Sequence, residues 1–330
     1  MEQLDVRNLL RGTTMSTKQT ILRENRGLSR KWHNAIFIIV MIAVPVVHFL
    51  MFSVYLNLNT VFLSFQHKNA DGTYVFWENP FTNYVRFFNE SFRSYSDFPS
   101  CIANSLLYFA LNDFVIVPLS VILTYFLYKK IFLHKFFRVV FYLPCIVSMV
   151  VMVMVYCFLF NPQIGIVNPI LEALGLGRLI PEDGWMATRA SGTGLIVGYC
   201  IWSGLGGNFI LLCSAMQRIP EEIIEAGKLD GVGFYRELVS ITVPLIGTTL
   251  ATLFMMGTTV IFTFFLQVKL ITGGEHKTGT IMFYITETVK GNSHDLSGAA
   301  TVGMIVAVVG TPIVLATRYI VDKVFPSYEF

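Results

Sequence analysis

The sequence is short of charge. Asp, Glu, Lys and Arg make up only 14% of its 330 residues, whereas soluble domains carry about 25%. Hydrophobic residues make up 54%, and the mean hydropathy is +0.61. This composition excludes an ordinary soluble domain and is typical of an integral membrane protein. The net charge of +3 is too small to indicate a nucleic-acid partner.

The sequence also lacks the motifs of the common enzyme classes. It has no HExxH, GxSxG or GxGxxG pattern, and its six histidines are scattered. The segment closest to a nucleotide-binding P-loop, 274–281, has no Lys-Ser/Thr pair after its second glycine. The five cysteines lack CxxC spacing and read as small buried residues rather than disulfides or metal ligands: Cys101, Cys145, Cys157, Cys200 and Cys213. We therefore expect no catalytic residues, no metal site and no cofactor bound by this chain.

Long apolar runs dominate the rest of the sequence. A bilayer core about 30 Å thick requires about 20 apolar residues of helix. Six runs meet this length: 36–62, 102–128, 139–160, 193–216, 242–268 and 299–321. The first run is too long for the core of a secretory signal peptide. The runs predict an all-α polytopic protein with six transmembrane helices, preceded by a polar, basic tail over residues 1–34.

Basic residues predict the orientation of these helices. The tail, the gap 129–138, the loop 217–241 and the C-terminus hold 16 Lys and Arg residues, and the other gaps hold 8. Cytoplasmic loops carry the excess of Lys and Arg, so both termini and the loop 217–241 are predicted to be cytoplasmic. In the external segments we expect short helices near 80–89, 167–174 and 280–290.

The longest polar segment between two apolar runs, 219–244, has the pattern of a helix, a break and a second helix. Pro220 suits the first helical position, and Glu221 suits the positive first turn. The glycines of 231–233 interrupt the helix, and 234–241 resumes it. Two interpretations are open: a helix pair that a soluble partner grips, or an amphipathic helix that lies on the bilayer.

The motif within this segment is Glu225-Ala226-Gly227, followed by Gly231, Ile241 and Val243-Pro244. It resembles the EAA loop of ABC-transporter permease subunits, with Gly227 in place of a second Ala and Val243 in place of Leu. The resemblance implies that Glu225 faces an ATPase subunit, that Ala226 and Gly227 make close-packed contacts, and that Gly231 forms the turn. It implies apolar anchoring by Ile223, Ile224 and Leu229. The residues expected to act in ATPase coupling are Glu222, Glu225, Ala226, Gly227, Asp230, Gly231, Ile241 and Pro244.

Further motifs match the same family, in the same order along the chain, and the resemblance covers about residues 35–325. They are Asn104-Ser105-Leu106, the run Phe137–Pro144, the run Phe160–Asn168, and Ile271-Thr272-Gly273-Gly274, where Glu275 replaces the usual Pro. Together they resemble the carbohydrate-uptake branch, whose members import oligosaccharides and, in some cases, glycerol phosphates. The resemblance implies the type I ABC importer permease fold, in a bacterial cytoplasmic membrane.

The resemblance also implies partners. A second, homologous permease subunit would complete the translocation pathway as a heterodimer. Two ATPase subunits would bind and hydrolyse ATP with Mg²⁺, and an external solute-binding protein would deliver a carbohydrate.

Polar residues within the apolar runs are candidates for the transport path: Asp113, Asn112, Asn208, Thr259, Thr263 and Gln267. A carboxylate in a membrane span is costly and faces a cavity or a partner. Asp113 could bind substrate hydroxyls, or it could hydrogen-bond to a neighbouring helix. An alternative function, an ion- or proton-coupled secondary transporter, would use Asp113 as its proton carrier.

Overall fold

The computed structural model describes residues 32, 34–69, 71–92, 98–290 and 295–325. Apart from residues 32 and 34, the predicted basic tail 1–34 lies outside the described residues. The chain divides into two compact units, residues 1–62 and 63–330. The first contains most of helix α1 (Asn34–Ser64), whose apolar side chains are exposed along nearly its whole length. A helix that is apolar on all sides suits a lipid environment.

The second unit is built mainly from helices. Its long helices are α3 (Phe98–Tyr128), α7 (Arg189–Met216) and α13 (Leu296–Val324). The other helices are α2 (Thr82–Arg86), α4 (His134–Ile146), α5 (Met149–Leu159), α6 (Val167–Ala173), α8 (Glu221–Leu229), α9 (Phe234–Leu245), α10 (Gly247–Thr263), α11 (Leu266–Ile271) and α12 (Ile281–Lys290). Helix α7 packs against α3 and α4, and α10 packs against α3 and α13.

Two of the predicted spans are bent. The axis turns by 112° between α4 and α5, and by 76° between α9 and α10. Pro144 lies inside α4, and Pro244 lies near the end of α9. Proline has no N–H for the helical hydrogen bond and crowds the preceding turn, so helices bend or break near it. Within the described residues, four helices are long and apolar enough to cross a membrane, or six if each bent pair forms one span.

The prediction of an all-α chain is wrong in one place. Strands β1 (Gln66–Lys68) and β2 (Tyr74–Phe76) pair antiparallel, with His67 opposite Val75. Gly72 adopts a φ of +80° in the connecting turn, which glycine does without steric cost. Asp-Gly is a hairpin signal, but the strand before it, Gln66–Lys68, is polar, so the alternating apolar pattern that would mark both strands is missing and no hairpin was predicted here.

Two more details of the predicted helices differ. Pro220 caps α8 instead of occupying its first turn. The helix that begins at Phe234 continues past Ile241, through a π-helical turn at Leu238–Thr242, to Leu245. A wider turn before Pro244 is expected because this residue cannot donate to the carbonyl four residues earlier.

The buried core forms two large clusters, one at each end of α7. Near its C-terminus Leu212 and Met216 pack with residues of α3, α8 and α10, including Ile224. Near its N-terminus Ile196 and Tyr199 pack with residues of α3, α5 and α11. Lipid is as apolar as these side chains, so close packing rather than removal from water stabilises such contacts.

Gly206 lies where such packing is tightest. A Cβ atom at this position would lie 1.9 Å from the backbone oxygen of Phe141 on α4 and 2.9 Å from Cys145 Sγ. Only glycine allows α4 and α7 to approach this closely.

Candidate functional site

Helices α8 and α9 form the predicted helix-break-helix motif. After α8, Gly231 adopts a φ of +72°, and its N–H donates to the Lys228 oxygen over 3.1 Å. The Val232 N–H donates to the Gly227 oxygen over 2.9 Å. Such left-handed glycine caps end helices because they satisfy the last carbonyls without a Cβ clash. The Gly231 turn therefore lets α9 start three residues later.

The inner face of α8 is fixed on the core. Ile224 is buried among side chains of α3, α7 and α10. Gly227 is also buried, and a Cβ atom there would lie 2.8 Å from Ile241 Cδ1. Gly227 and Ile241 thus pack against each other and close the angle between α8 and α9.

The other predicted coupling residues are exposed: Glu222, Glu225, Ala226, Asp230, Gly231 and Pro244. The expectation that Leu229 anchors this loop does not fit the chain's own packing, because this side chain is 89% exposed. Ile224 anchors α8 instead. Leu229 and the exposed Tyr235 add apolar surface beside the acidic residues, so the outer face combines negative charge with apolar contact area.

The residues that hold α9 against the C-terminal end of α3 were not among the predicted site residues. The Tyr125 hydroxyl donates to the Phe234 oxygen over 3.2 Å. The Phe234 ring lies 4.8 Å from the Tyr125 ring and 5.2 Å from the Phe126 ring. Lys129 Nζ lies 2.5 Å from Glu237 Oε1. These residues are far apart in sequence and belong to no recognised motif, so the sequence alone carried no signal of their contact.

Asp113 and Asn112 lie at the interface between α3 and α10. Asp113 is only 4% exposed, and Asn112 Nδ2 donates to Asp113 Oδ1 over 3.1 Å. A Cβ atom on Gly257 of α10 would lie 1.7 Å from Asp113 Oδ1. The carboxylate therefore packs directly on the backbone of the neighbouring helix, which favours the helix-packing interpretation of Asp113 over direct contact with substrate.

Two of the path candidates, Thr259 and Thr263, lie on one exposed face of α10. They continue a stripe with Thr252 and Met256, all exposed at spacings of three or four residues. The Thr259 hydroxyl donates to Met256 O over 2.7 Å, and the Thr263 hydroxyl donates to Thr259 O over 3.0 Å. A hydroxyl that donates in this way still has lone pairs that can accept a hydrogen bond, so this face can bind hydroxyl groups.

The structure does not bring the remaining candidates together with this face. Asn208 Nδ2 donates to Ser120 Oγ over 3.3 Å and so links α7 to α3. Gln267 is half-buried on α11, beyond the break that ends α10 at Thr263.

Asn104 and Ser105, predicted only as a family motif, organise the opposite end of the second unit. Asn104 Nδ2 donates to the oxygens of Lys277 and Gly279 over 2.8 and 2.7 Å. Ser105 Oγ accepts from the Ile281 N–H over 3.0 Å. Both side chains are buried. They fix the loop that precedes α12 onto α3.

A cavity of about 590 Å³ opens at the same end. It is lined by Phe158, Phe160 and Trp185 and by the polar residues Asn161 and Asp183. Pockets that bind small molecules combine apolar walls with a few polar groups.

Comparisons with known proteins agree with these features. Residues 116–326 match the family described as "Binding-protein-dependent transport system inner membrane component". The chain is 30% identical over 234 residues to the probable ABC transporter permease protein YurN of Bacillus subtilis (strain 168), which covers 70% of this chain and 77% of that protein. It is 26% identical over 211 residues to the arabinooligosaccharides transport system permease protein AraP of Halalkalibacterium halodurans, covering 63% and 62%.

A solved structure shares the fold. A chain of a bacterial ABC transporter involved in the import of the acidic polysaccharide alginate superposes with a TM-score of 0.74. The match covers 90% of this chain and 98% of that chain, at 20% sequence identity.

Proposed function

The chain belongs to the family of binding-protein-dependent transport system inner membrane components, and we propose from this premise that it forms half of the translocation pathway of an oligosaccharide ABC importer. Membership confirms the resemblance read from the motifs. It also identifies the chain as a multi-pass membrane protein with the permease fold of type I ABC importers. One relative, AraP, carries arabinooligosaccharides in its name, which supports the proposed substrate class.

The observation that carries the proposal is the two-sided arrangement of α8. Its inner side is already buried, with Ile224 in the chain's own core and Gly227 packed against Ile241. A helix that lies on a bilayer needs a free apolar face, with Lys and Arg on its polar face. The free face of α8 instead presents Glu222 and Glu225, and Leu229 is the one large apolar side chain exposed on it. A soluble partner, not lipid, fits this surface, and we assign it to the ATPase subunit.

The proposed topology has six spans, with each bent helix pair counted as one, and both termini in the cytoplasm. The excess of Lys and Arg on one side supports this orientation. It places α8 and the start of α9 in the cytoplasm, beside the ATPases, and the cavity at Trp185 outside, where a solute-binding protein would deliver its ligand.

We assign ATP hydrolysis to two separate ATPase subunits, which would use ATP and Mg²⁺, while this chain binds no cofactor. A second, homologous permease would complete the pathway. Closure of the ATPases on ATP would move α8 and rock the helices attached to it, a rigid-body transition of the kind used in domain closure.

The exposed threonine stripe of α10 is the proposed substrate-facing surface of this chain. Thr259 and Thr263 offer hydroxyls to a carbohydrate. Lipid tails could not form hydrogen bonds with these hydroxyls. Asp113 is assigned to helix packing because its carboxylate lies against Gly257. This also removes the proton carrier on which a secondary transporter would depend.

The test is a purification in mild detergent followed by an uptake assay. The chain is expected to retain a second permease and an ATPase, and vesicles holding the complex are expected to accumulate an oligosaccharide only with ATP. Recovery of the chain without an ATPase, or uptake that continues on a proton gradient after ATP depletion, would contradict the proposal.

A further inference from the structure

An ion pair joins Lys129, which caps the C-terminus of α3, to Glu237 in the first turn of α9. Lys129 Nζ lies 2.5 Å from Glu237 Oε1, and their side chains are 23% and 8% exposed. Lys129 Nζ also lies 5.6 Å from the centre of the Tyr125 ring. A short contact between two largely enclosed charges differs from an exposed surface pair, which contributes little.

The contacts around this ion pair point to a fixed junction. Tyr125 is fully buried, and its hydroxyl donates to the backbone oxygen of Phe234. The ring of Phe234 packs on Tyr125 and Phe126. Three side chains at the C-terminal end of α3 therefore hold the start of α9 through a charge pair, a hydrogen bond and ring contacts.

The physics of buried charge makes this junction resist separation. A buried charge that loses its partner is strongly destabilised, so α9 cannot move away from α3 unless both charges regain water. Helix α9 would therefore carry α3 with it when the loop moves. Chain connectivity already links the loop to α7 and α10, but it does not link the loop to α3.

We propose that the Lys129–Glu237 pair and Tyr125 form a strut that transmits displacement of α8 and α9 to α3. They act as positioning residues for ATP-driven transport. This inference rests on the proposed function, because it assumes that an ATPase subunit moves the loop. It adds a mechanical role for residues outside the EAA motif.

The test compares the ratio of substrate imported to ATP hydrolysed in the reconstituted complex. Lys129→Met and Glu237→Gln are expected to leave ATP hydrolysis in place but lower this ratio. Coupling free energies between sites correspond to factors of about 5 to 150, so a fall of at least about fivefold is expected. The charge swap Lys129→Glu with Glu237→Lys is expected to regain most of the loss.

The matched control is Lys130→Met, since Lys130 is the next residue and is exposed. It is expected to keep the wild-type ratio. If both single variants fail to assemble, Tyr125→Phe removes only the hydroxyl and keeps the ring, and it is expected to assemble fully and still lower the ratio. A purely stabilising junction would change the amount of complex and not the ratio.

The outcomes separate this inference from the proposed function. Wild-type chain that retains no ATPase overturns the proposed function itself. The strut alone is overturned if the wild-type complex shows ATP-dependent uptake and the variant complexes keep the wild-type ratio. These variants are Lys129→Met, Glu237→Gln and Tyr125→Phe.

Discussion

Two adjacent glycines on α7 should respond in opposite ways to the same substitution. In Gly206→Ala the new methyl group would lie 1.9 Å from the backbone oxygen of Phe141, which cannot move aside as a side-chain end can. In Gly207→Ala no heavy atom of the described residues, apart from the chain neighbours and the backbone of the surrounding turns of α7, lies within 4 Å of the new group. Overpacking of a well-packed core costs about 1–3 kcal/mol. Both substitutions gain up to about 1 kcal/mol of helix propensity.

The propensity gain cancels when the two variants are compared, because both glycines lie in the interior of the same helix. The free energy of unfolding of Gly206→Ala should therefore lie about 1–3 kcal/mol below that of Gly207→Ala. Gly207→Ala should match or exceed the wild type. The assay is denaturant or thermal unfolding of the isolated chain in mild detergent, followed by tryptophan fluorescence. Equal stability of the two variants would refute the close approach of α4 and α7.

Three further predictions concern function. Gly227→Ala should keep ATP-driven uptake, because only the flexible end of Ile241 must move. Gly227→Leu should lose uptake. Equal uptake by both variants would contradict the packing of α8 on α9. The double variant Glu225→Lys, Gly231→Asp should insert normally into the membrane but lose uptake. Its first change reverses a charge on the outer face of α8, and its second replaces a glycine at a φ of +72°. Uptake that persists in this variant would contradict the coupling assignment. Asp113→Asn should keep both complex assembly and the KM for uptake, while Asp113→Leu should lower the yield of assembled complex; a raised KM in Asp113→Asn with normal assembly would show substrate contact.

Helix positions were predictable because hydrophobicity and glycine or proline signals act locally. The helices of the structure cover the apolar runs, and the turn at Gly231 lies where the glycine spacing places it. The angle of 112° between α4 and α5 was not predictable from length and hydropathy. Pro144 marks a weak point in the helix but does not determine which way the next helix turns.

The candidate site was predictable only where it is local. Glu222 and Glu225 lie on one short amphipathic helix, so their exposure could be predicted from helical spacing, whereas the exposure of Leu229 was not predicted. The inward role of Gly227 depends on Ile241, and the burial of Asp113 depends on Gly257 of another helix. Such contacts join residues that are distant in sequence, and a single sequence holds no record of them.

The same contacts explain how a small loop could act on a large membrane domain. Ile224 ties α8 to α3, α7 and α10 through one continuous buried cluster. Packed cores shift between discrete arrangements and do not deform smoothly, so a displacement at α8 must either break this cluster or move its helices together. The ion pair at Glu237 makes breaking it costly on the α3 side. In the proposed importer, movement of the ATPases would therefore reach α10, with its exposed threonines, as a shift of packed helices rather than as a local bend of the loop.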